Sequence, residues 1–322
     1  MADDIWTVKR ILEWIEGYLG QHGDENPRIS AQWLVSEALG VSRMQLFLDM
    51  ERPLTADERA VLRDWTRRRG SGEPLQYLTG SVDFRYITVK VREGVLIPRP
   101  ETEVLVSEAL ALLPAAAKPQ DALDWELLAQ LVDLGEIEAD QLPESTDTDE
   151  LLVADICTGS GCIACSIAHE HPRTFVVATD ISPLAVELAR DNVSALALDE
   201  RVNVVECDLG TGIDPALLGR FDLIVSNPPY VPTSVLDAMP REVAEHEPAL
   251  ALDGGADGLD VFRKLITWCQ TALAPQGAFA FELHETCLDE AAAIAEAAGF
   301  SEVGIKLDLA NRPRILVGRS SW

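Results

Sequence analysis

One stretch limits the possible folds more than any other. Leu151-Leu152-Val153-Ala154-Asp155-Ile156 reads as an apolar strand, passes into the loop Cys157-Thr158-Gly159-Ser160-Gly161, and continues into an apolar helical run beginning Cys162-Ile163-Ala164. A strand, a small-residue loop and a helix in that order bring the backbone of an α/β sheet close to a nucleotide-like ligand. Gly159 and Gly161 permit the approach, although close strand-to-helix packing explains many such loops. A second strand, Phe175-Val176-Val177-Ala178-Thr179-Asp180, ends in an acid about twenty residues past the loop, the spacing of a carboxylate that holds ribose hydroxyls.

After Asp180, Ser182 can cap a helix and Pro183 can take its first position, predicting a helix to about Leu198. Val202-Asn203-Val204-Val205-Glu206 is a third strand, leading to Asp208 and Leu209. Phe221-Asp222-Leu223-Ile224-Val225-Ser226 is a fourth, ending in Asn227-Pro228-Pro229-Tyr230. Ligands of open α/β sheets sit beyond the carboxyl ends of the strands, so Asp155, Gly159, Asp180, Asp208 and Asn227 are expected to converge on one crevice. For each acid alone, a helix cap or a solvated loop is the plainer explanation. Pro228 and Pro229 each lack an N–H and have a fixed φ, so the Asn227 side chain and the carbonyls around it face outward as acceptors. That suits a substrate that donates hydrogen bonds, such as an amide or amino nitrogen. An ordinary strand-ending turn is the competing explanation.

On these residues the chain resembles the class I methyltransferases that use S-adenosylmethionine, and within them the release-factor glutamine N5-methyltransferases. The likeness extends to Glu73-Pro74-Leu75-Gln76-Tyr77-Leu78-Thr79-Gly80, Leu96-Ile97-Pro98-Arg99-Pro100-Glu101-Thr102-Glu103, Glu247-Pro248-Ala249-Leu250-Ala251-Leu252, Asp257-Gly258-Leu259 and Asp308-Leu309-Ala310-Asn311-Arg312-Pro313-Arg314. The Ile97 to Glu103 segment is the most specific, because the related ribosomal-protein methyltransferases usually depart from it after the arginine. The resemblance implies a Rossmann-like α/β fold with a seven-stranded sheet and a small α-helical domain before it. It implies a cofactor pocket of Asp155, Cys157 to Gly161 (with Thr158 and Ser160), Asp180, Asp208, Leu209 and Asn227. It makes Asn227, Pro228, Pro229 and Tyr230 the catalytic and substrate-holding group. Arg99, Glu101 and Thr102 are expected on the other wall, with a capped helix start as the alternative. S-adenosylmethionine would be the methyl source, leaving S-adenosylhomocysteine, and a class 1 peptide-release factor the partner. Two positions depart from the family pattern. His284, in Phe281-Glu282-Leu283-His284-Glu285, stands where glycine is usual and reads as a structural substitution. Cys157 also stands where glycine is frequent and reads as a tolerated small residue.

A chain of 322 residues, 47% hydrophobic, is large enough for about two domains. Residues 1–72 read as a helical docking domain, 73–96 as a hairpin linker and 97–322 as the methyltransferase domain. Ile5, Val8, Ile11, Leu12 and Ile15 fall at helical spacing, and Ile29 to Leu39 forms a second periodic stretch. Thr55 with Glu58 makes a capping box, and Arg67-Arg68-Arg69-Gly70 gives a basic helix end, though those arginines could also touch a partner. Tyr86-Ile87-Thr88-Val89-Lys90-Val91 alternates as a strand does.

From Pro114 to Asp149 the chain carries ten acids and one base, which reads as an acidic surface insertion with a helix over 123–134 and a linker over 143–149. Overall, 26 basic against 54 acidic residues leave a net charge of −28, which repels phosphate backbones and disfavours general nucleic-acid binding. Lysine is rare beside arginine, a bias that fits a high-salt setting or simple surface solubility. Six cysteines without a signal peptide or a long apolar span point to a reduced cytoplasm and no membrane. Cys162 and Cys165 lack a second ligand pair, and His169 and His171 close no site, so no metal is expected. Besides glutamine methylation of a release factor or a ribosomal protein, two readings compete: N6-adenine methylation, which also uses Asn-Pro-Pro-Tyr on a flipped base, and a non-catalytic partner subunit.

Overall fold

The computed structural model describes residues 5–114, 150–236, 239 and 241–322. The expected acidic helix and linker lie outside the described residues. Five helices come first: α1 Val8–Gln21, α2 Pro27–Leu39, α3 Arg43–Leu48, α4 Ala56–Gly70 and α5 Leu75–Thr79. Their apolar faces meet in a core of their own, which includes Val8, Ile11, Leu12, Ile15, Leu34, Val35, Leu62 and Leu78. Ile5 departs from the periodic reading. It is 64% exposed, because Thr7 caps the helix and Val8 is its first residue. The predicted capping box is present: Thr55 accepts from the Glu58 N–H and the Glu58 side chain from the Thr55 N–H. Arg67, Arg68 and Arg69 are in ion pairs within the chain, with Asp64, Glu73, Asp24 and Glu242.

A two-stranded hairpin follows, β1 Ser81–Phe84 and β2 Ile87–Lys90, and then α6 Pro100–Leu112. The hairpin is part of the larger core, since Phe84, Ile87 and Val89 pack with Leu105, Val106 and Ile163. Next come β3 Leu151–Ile156, α7 Cys162–Glu170, β4 Thr174–Asp180, α8 Pro183–Ala195, β5 Val202–Glu206 and β6 Phe221–Ser226. Then follow short helices α9 Thr233–Leu236 and α10 Arg241–His246, α11 Asp260–Ala272, β7 Leu273–Glu282, α12 Leu288–Ala297, β8 Phe300–Leu307 and β9 Pro313–Ser320. Helix α8 stops short of the expected Leu198. The Leu198 N–H bonds to the Val193 carbonyl and the Ala197 N–H to that of Ser194, a closing turn with Ala197 at φ 55°.

As the resemblance implied, β3 to β9 form a seven-stranded sheet, in the order β5-β4-β3-β6-β7-β9-β8. Strands β3 to β7 pair in parallel, and β9 runs antiparallel to β7 and β8. Successive side chains point to opposite faces of a strand, so a strand covered on both faces must be apolar throughout. Val153 and Ala278 accordingly join the layer with α6, α7 and α8. Their neighbours Ala154 and Phe279 join the layer with α11 and α12. The chain winds outward from β3 to β5 and returns to β6 beside β3. That reversal leaves the loops after β3 and β6 with no crossover helix between them, which opens the crevice.

Candidate active site

The loop after β3 is held from below by Asp155. This carboxylate is fully buried, accepting from the Thr158 hydroxyl at 2.5 Å and the Ala164 N–H at 3.0 Å. Its other oxygen, Oδ1, has no hydrogen-bond partner among the described residues, and burial pushes the group up to about 7. Asp180 tightens the loop from the side, with Oδ2 accepting from the Gly159 N–H and Oδ1 from the Ser182 N–H, both at 2.9 Å. Burial raises its pKa as well, against those bonds. Asn192 adds a third tie, donating to the Ser160 and Lys90 carbonyls at 2.8 and 3.1 Å and accepting from the Lys90 N–H at 2.7 Å. Cys157 sits at φ 62°, a left-handed conformation that glycine adopts without cost.

Two cavities flank Asn227. The first is bounded by 94–99, Thr102, Cys157 to Ser160, Asp180 to Ser182, Pro248, Leu250 and Ala251, with about 790 Å³ of empty space that is partly open to solvent. Tyr77 secures its outer wall through a 2.7 Å bond from its hydroxyl to the Val95 carbonyl. The second, of about 760 Å³, is lined by Leu96, Arg99, Asn227, Tyr230, His284 and Arg314, among others. Leu96, Arg99, Asn227 and Ala251 belong to both, so the two cavities adjoin at Asn227.

Of the residues singled out in the sequence, Arg99, Thr102, Cys157, Thr158, Gly159, Ser160, Asp180, Asn227 and Pro229 line the first cavity, and Tyr230 lines the second. Asp155 stands behind the loop, and Gly161 is pressed against Ala189. Pro228 is buried, while Asp208 is exposed at the end of β5 and, like Leu209 at φ 49°, lines neither cavity. Glu101 faces Arg312 at 3.5 Å. Arg99 takes the N-cap position of α6 with no side-chain cap bond; its guanidinium instead grips Glu247. His284 needs no left-handed backbone, and its Nδ1 lies 2.8 Å from the Thr286 hydroxyl. Cys162 and Cys165 are buried in α7, where burial raises both thiols, Cys162 to about 12.

Three positioning residues carry no role in the sequence pattern. Glu282 ends β7 in the way Asp155 and Asp180 end or nearly end their strands, so its signal was the acid after an apolar run. Glu247 was visible only as part of a motif, and Asn192, in the middle of a helix, carries no local mark.

The described helices include none long and apolar enough to cross a membrane, and no metal-binding group of acids, cysteines and histidines occurs among the described residues. The family model "PrmC N-terminal domain" matches residues 10–80, and "Methyltransferase small domain" matches 136–255. A release factor glutamine methyltransferase of Geobacter sulfurreducens is 39% identical over 87% of this chain and 85% of its own length. Those of Rhodopirellula baltica and Caulobacter vibrioides are 36% and 34% identical over 98% and 97% of this chain, and each match covers 96% of the relative. A crystal structure of a methyltransferase from Pyrococcus furiosus aligns with a TM-score of 0.41 at 19% identity, covering 70% of this chain and 100% of that one. With relatives this similar along almost the whole length of both chains, the protein belongs to the release factor glutamine methyltransferase family.

Proposed function

We propose that the chain moves a methyl group from S-adenosylmethionine to the side-chain nitrogen, N5, of the glutamine in the Gly-Gly-Gln motif of class 1 peptide chain release factors. The observation that carries this reading is the pair of cavities meeting at Asn227, one edged by the Gly159 loop and Asp180, the other by Tyr230. The first suits the methyl donor. A Cβ built on Gly159 meets nothing within 4 Å, so the missing side chain leaves open room at the loop, and the Asp180 carboxylate stands at the rim for ribose hydroxyls. When bound, S-adenosylmethionine supplies an electrophilic methyl on a sulfonium sulfur.

The chain's own task is orientation. A carboxamide nitrogen is a poor nucleophile because its lone pair is delocalised. Asn227 and the Pro228 carbonyl accept its two N–H hydrogens and aim the nitrogen along the line of displacement. Tyr230 provides a flat wall against the amide. The nitrogen–carbon bond forms as the carbon–sulfur bond breaks, and the nitrogen then gives up one proton to water, so no general base is required beforehand. The relatives' names favour a release factor over a ribosomal protein or an adenine, and the net charge of −28 opposes nucleic acid as the partner. The intact Gly loop and Asn-Pro-Pro-Tyr oppose a non-catalytic role. The α-helical domain of α1 to α5 is the docking element in this reading, and the cytoplasm is its setting.

The test is transfer of labelled methyl to a purified class 1 release factor beside its Gly-Gly-Ala variant. Label on the first alone supports the reading, whereas label on neither, with donor binding intact, moves the substrate elsewhere.

A further inference from the structure

The side-chain amide of Asn227 is tied into a directional chain of hydrogen bonds that no nucleotide-binding role explains. Its Nδ2 lies 3.2 Å from the Thr102 hydroxyl oxygen, and that hydroxyl lies 2.8 Å from Glu282 Oε2. The second carboxylate oxygen of Glu282 accepts from the Tyr230 hydroxyl at 3.0 Å. Thr102 and Glu282 are 2% and 1% exposed, so solvent does not compete for these groups. The three participants besides Tyr230 come from separate places, the first turn of α6, the loop after β6 and the end of β7.

We infer that Glu282 and Thr102 are positioning residues that set the direction of the Asn227 amide, and with it the site's preference for a substrate that donates hydrogen bonds. The inference rests on the reading of Asn227 as the holder of the acceptor nitrogen. Burial raises the Glu282 pKa, while the bonds from Thr102 and Tyr230 and the charge of Arg314 oppose that rise; as a carboxylate Glu282 only accepts, so Thr102 gives it its single hydroxyl proton. The Thr102 oxygen then has lone pairs alone to offer, and the Asn227 group facing it must be Nδ2. The amide cannot flip without setting two acceptors against each other, so Oδ1 is directed away from Thr102, toward the space the substrate nitrogen enters. The Tyr230 wall is held by the same carboxylate, so one buried acid bears on both Asn227 and Tyr230.

The test uses Thr102→Val, which keeps the side chain's volume and removes the relay, and Thr102→Ser, which keeps the hydroxyl. With a Gly-Gly-Gln release factor as substrate, Thr102→Val should lower kcat by about 100-fold, the scale of a misdirected reactive group. Thr102→Ser should restore most of the rate. In a cycle with Glu282→Gln, the double variant should lose much less than the product of the two single losses. Full activity in Thr102→Val, or losses that multiply, would overturn the inference. A second readout does not depend on turnover: in protein labelled with ¹⁵N at asparagine, one Asn227 side-chain amide proton should exchange slowly with water in the parent and in Thr102→Ser, and fast in Thr102→Val. An unprotected amide in the parent overturns the inference even if methyl is transferred. A protected amide with no transfer leaves the inference standing and removes the substrate reading instead.

Discussion

Arg99 and Glu247 lie 148 residues apart, and the Arg99 Nη2 reaches both carboxylate oxygens of Glu247, at 2.6 and 2.7 Å. The pair fastens the start of α6 to the segment carrying Pro248, Leu250 and Ala251, all on the wall of the first cavity. The Glu247 side chain is 1% exposed and that of Arg99 35%. Burial raises the Glu247 pKa, and Arg99 works against that rise.

Arg99→Ala should therefore destabilise the protein by about 2 kcal/mol at neutral pH, less than the loss of a fully sealed pair because Arg99 is partly solvated. Without the guanidinium the Glu247 pKa rises further above its unfolded value. A carboxylate so raised carries no penalty below the unfolded pKa and an increasing one as pH climbs through the folded pKa. The deficit relative to the parent should shrink between pH 7 and pH 5, and Glu247→Gln should recover part of it. Urea unfolding at the two pH values measures both effects; a deficit that stays constant with pH would separate Glu247 from the loss.

Asp155 gives a second pH dependence. Its pKa stands at about 7 in the folded chain against 3.8 as a free side chain, because burial disfavours its charge. The folded state binds this proton more tightly, so the stabilising contribution is complete below pH 3.8 and is lost as pH rises toward 7. Asp155→Asn, which does not titrate, should gain stability relative to the parent across that interval, by at most about 1.4 kcal/mol per pH unit. Unfolding of both proteins without ligand at pH 5 and pH 8 decides it, since parallel curves would mean that Asp155 stays charged.

The two glycines of the loop should fail in different ways. Gly161, at φ 79°, would place a Cβ 3.1 Å from the Ala189 Cβ and 3.2 Å from its Cα, whereas Gly159, at φ 56°, faces open space. Gly161→Ala should cost about 2 kcal/mol of stability from strain and crowding together. Gly159→Ala should cost about 1 kcal/mol from strain alone, yet weaken S-adenosylmethionine binding by about tenfold or more by filling its room. Calorimetry and thermal unfolding on both variants would reveal a reversed order if the assignments were exchanged.

Arg85 anchors the hairpin. Its guanidinium binds Glu170 through Nε and Nη2 at 2.6 and 2.7 Å and the Glu103 carbonyl through Nη1 at 2.6 Å. Lysine cannot reproduce this fork, so Arg85→Lys should lose about 2 kcal/mol although the charge is kept. A loss below about 0.5 kcal/mol in urea unfolding, the scale of a solvated ion pair, would show that charge alone suffices.

Four of the seven strands were legible from residue order, because a strand covered on both faces leaves an unbroken apolar run, and Val153, Val177 and Ile224 all belong to such runs. The Gly loop and the acid ending β4 were legible too, since glycine and terminal acids mark where backbone and ligand meet. Helix limits were less so: Ile5 and Leu198 carry the right hydrophobicity, but the helices end at Thr7 and Ala195, where caps and a closing turn satisfy the backbone. Hydrophobic period says which face is buried, and hydrogen-bond closure says where the helix stops.

The sequence by itself determined the strand-and-helix alternation, the left-handed glycine turn and the rigid Asn-Pro-Pro-Tyr tip, because each depends on local dihedral freedom and on periodic burial. Only the tertiary structure decided what those parts face. The Asn227 amide is directed by Thr102, 125 residues away, and Thr102 by Glu282, 180 residues from it. Such pairings depend on which strand ends the sheet order brings together, and a hydrogen bond reaching across the fold leaves no periodic trace in either of the segments it joins.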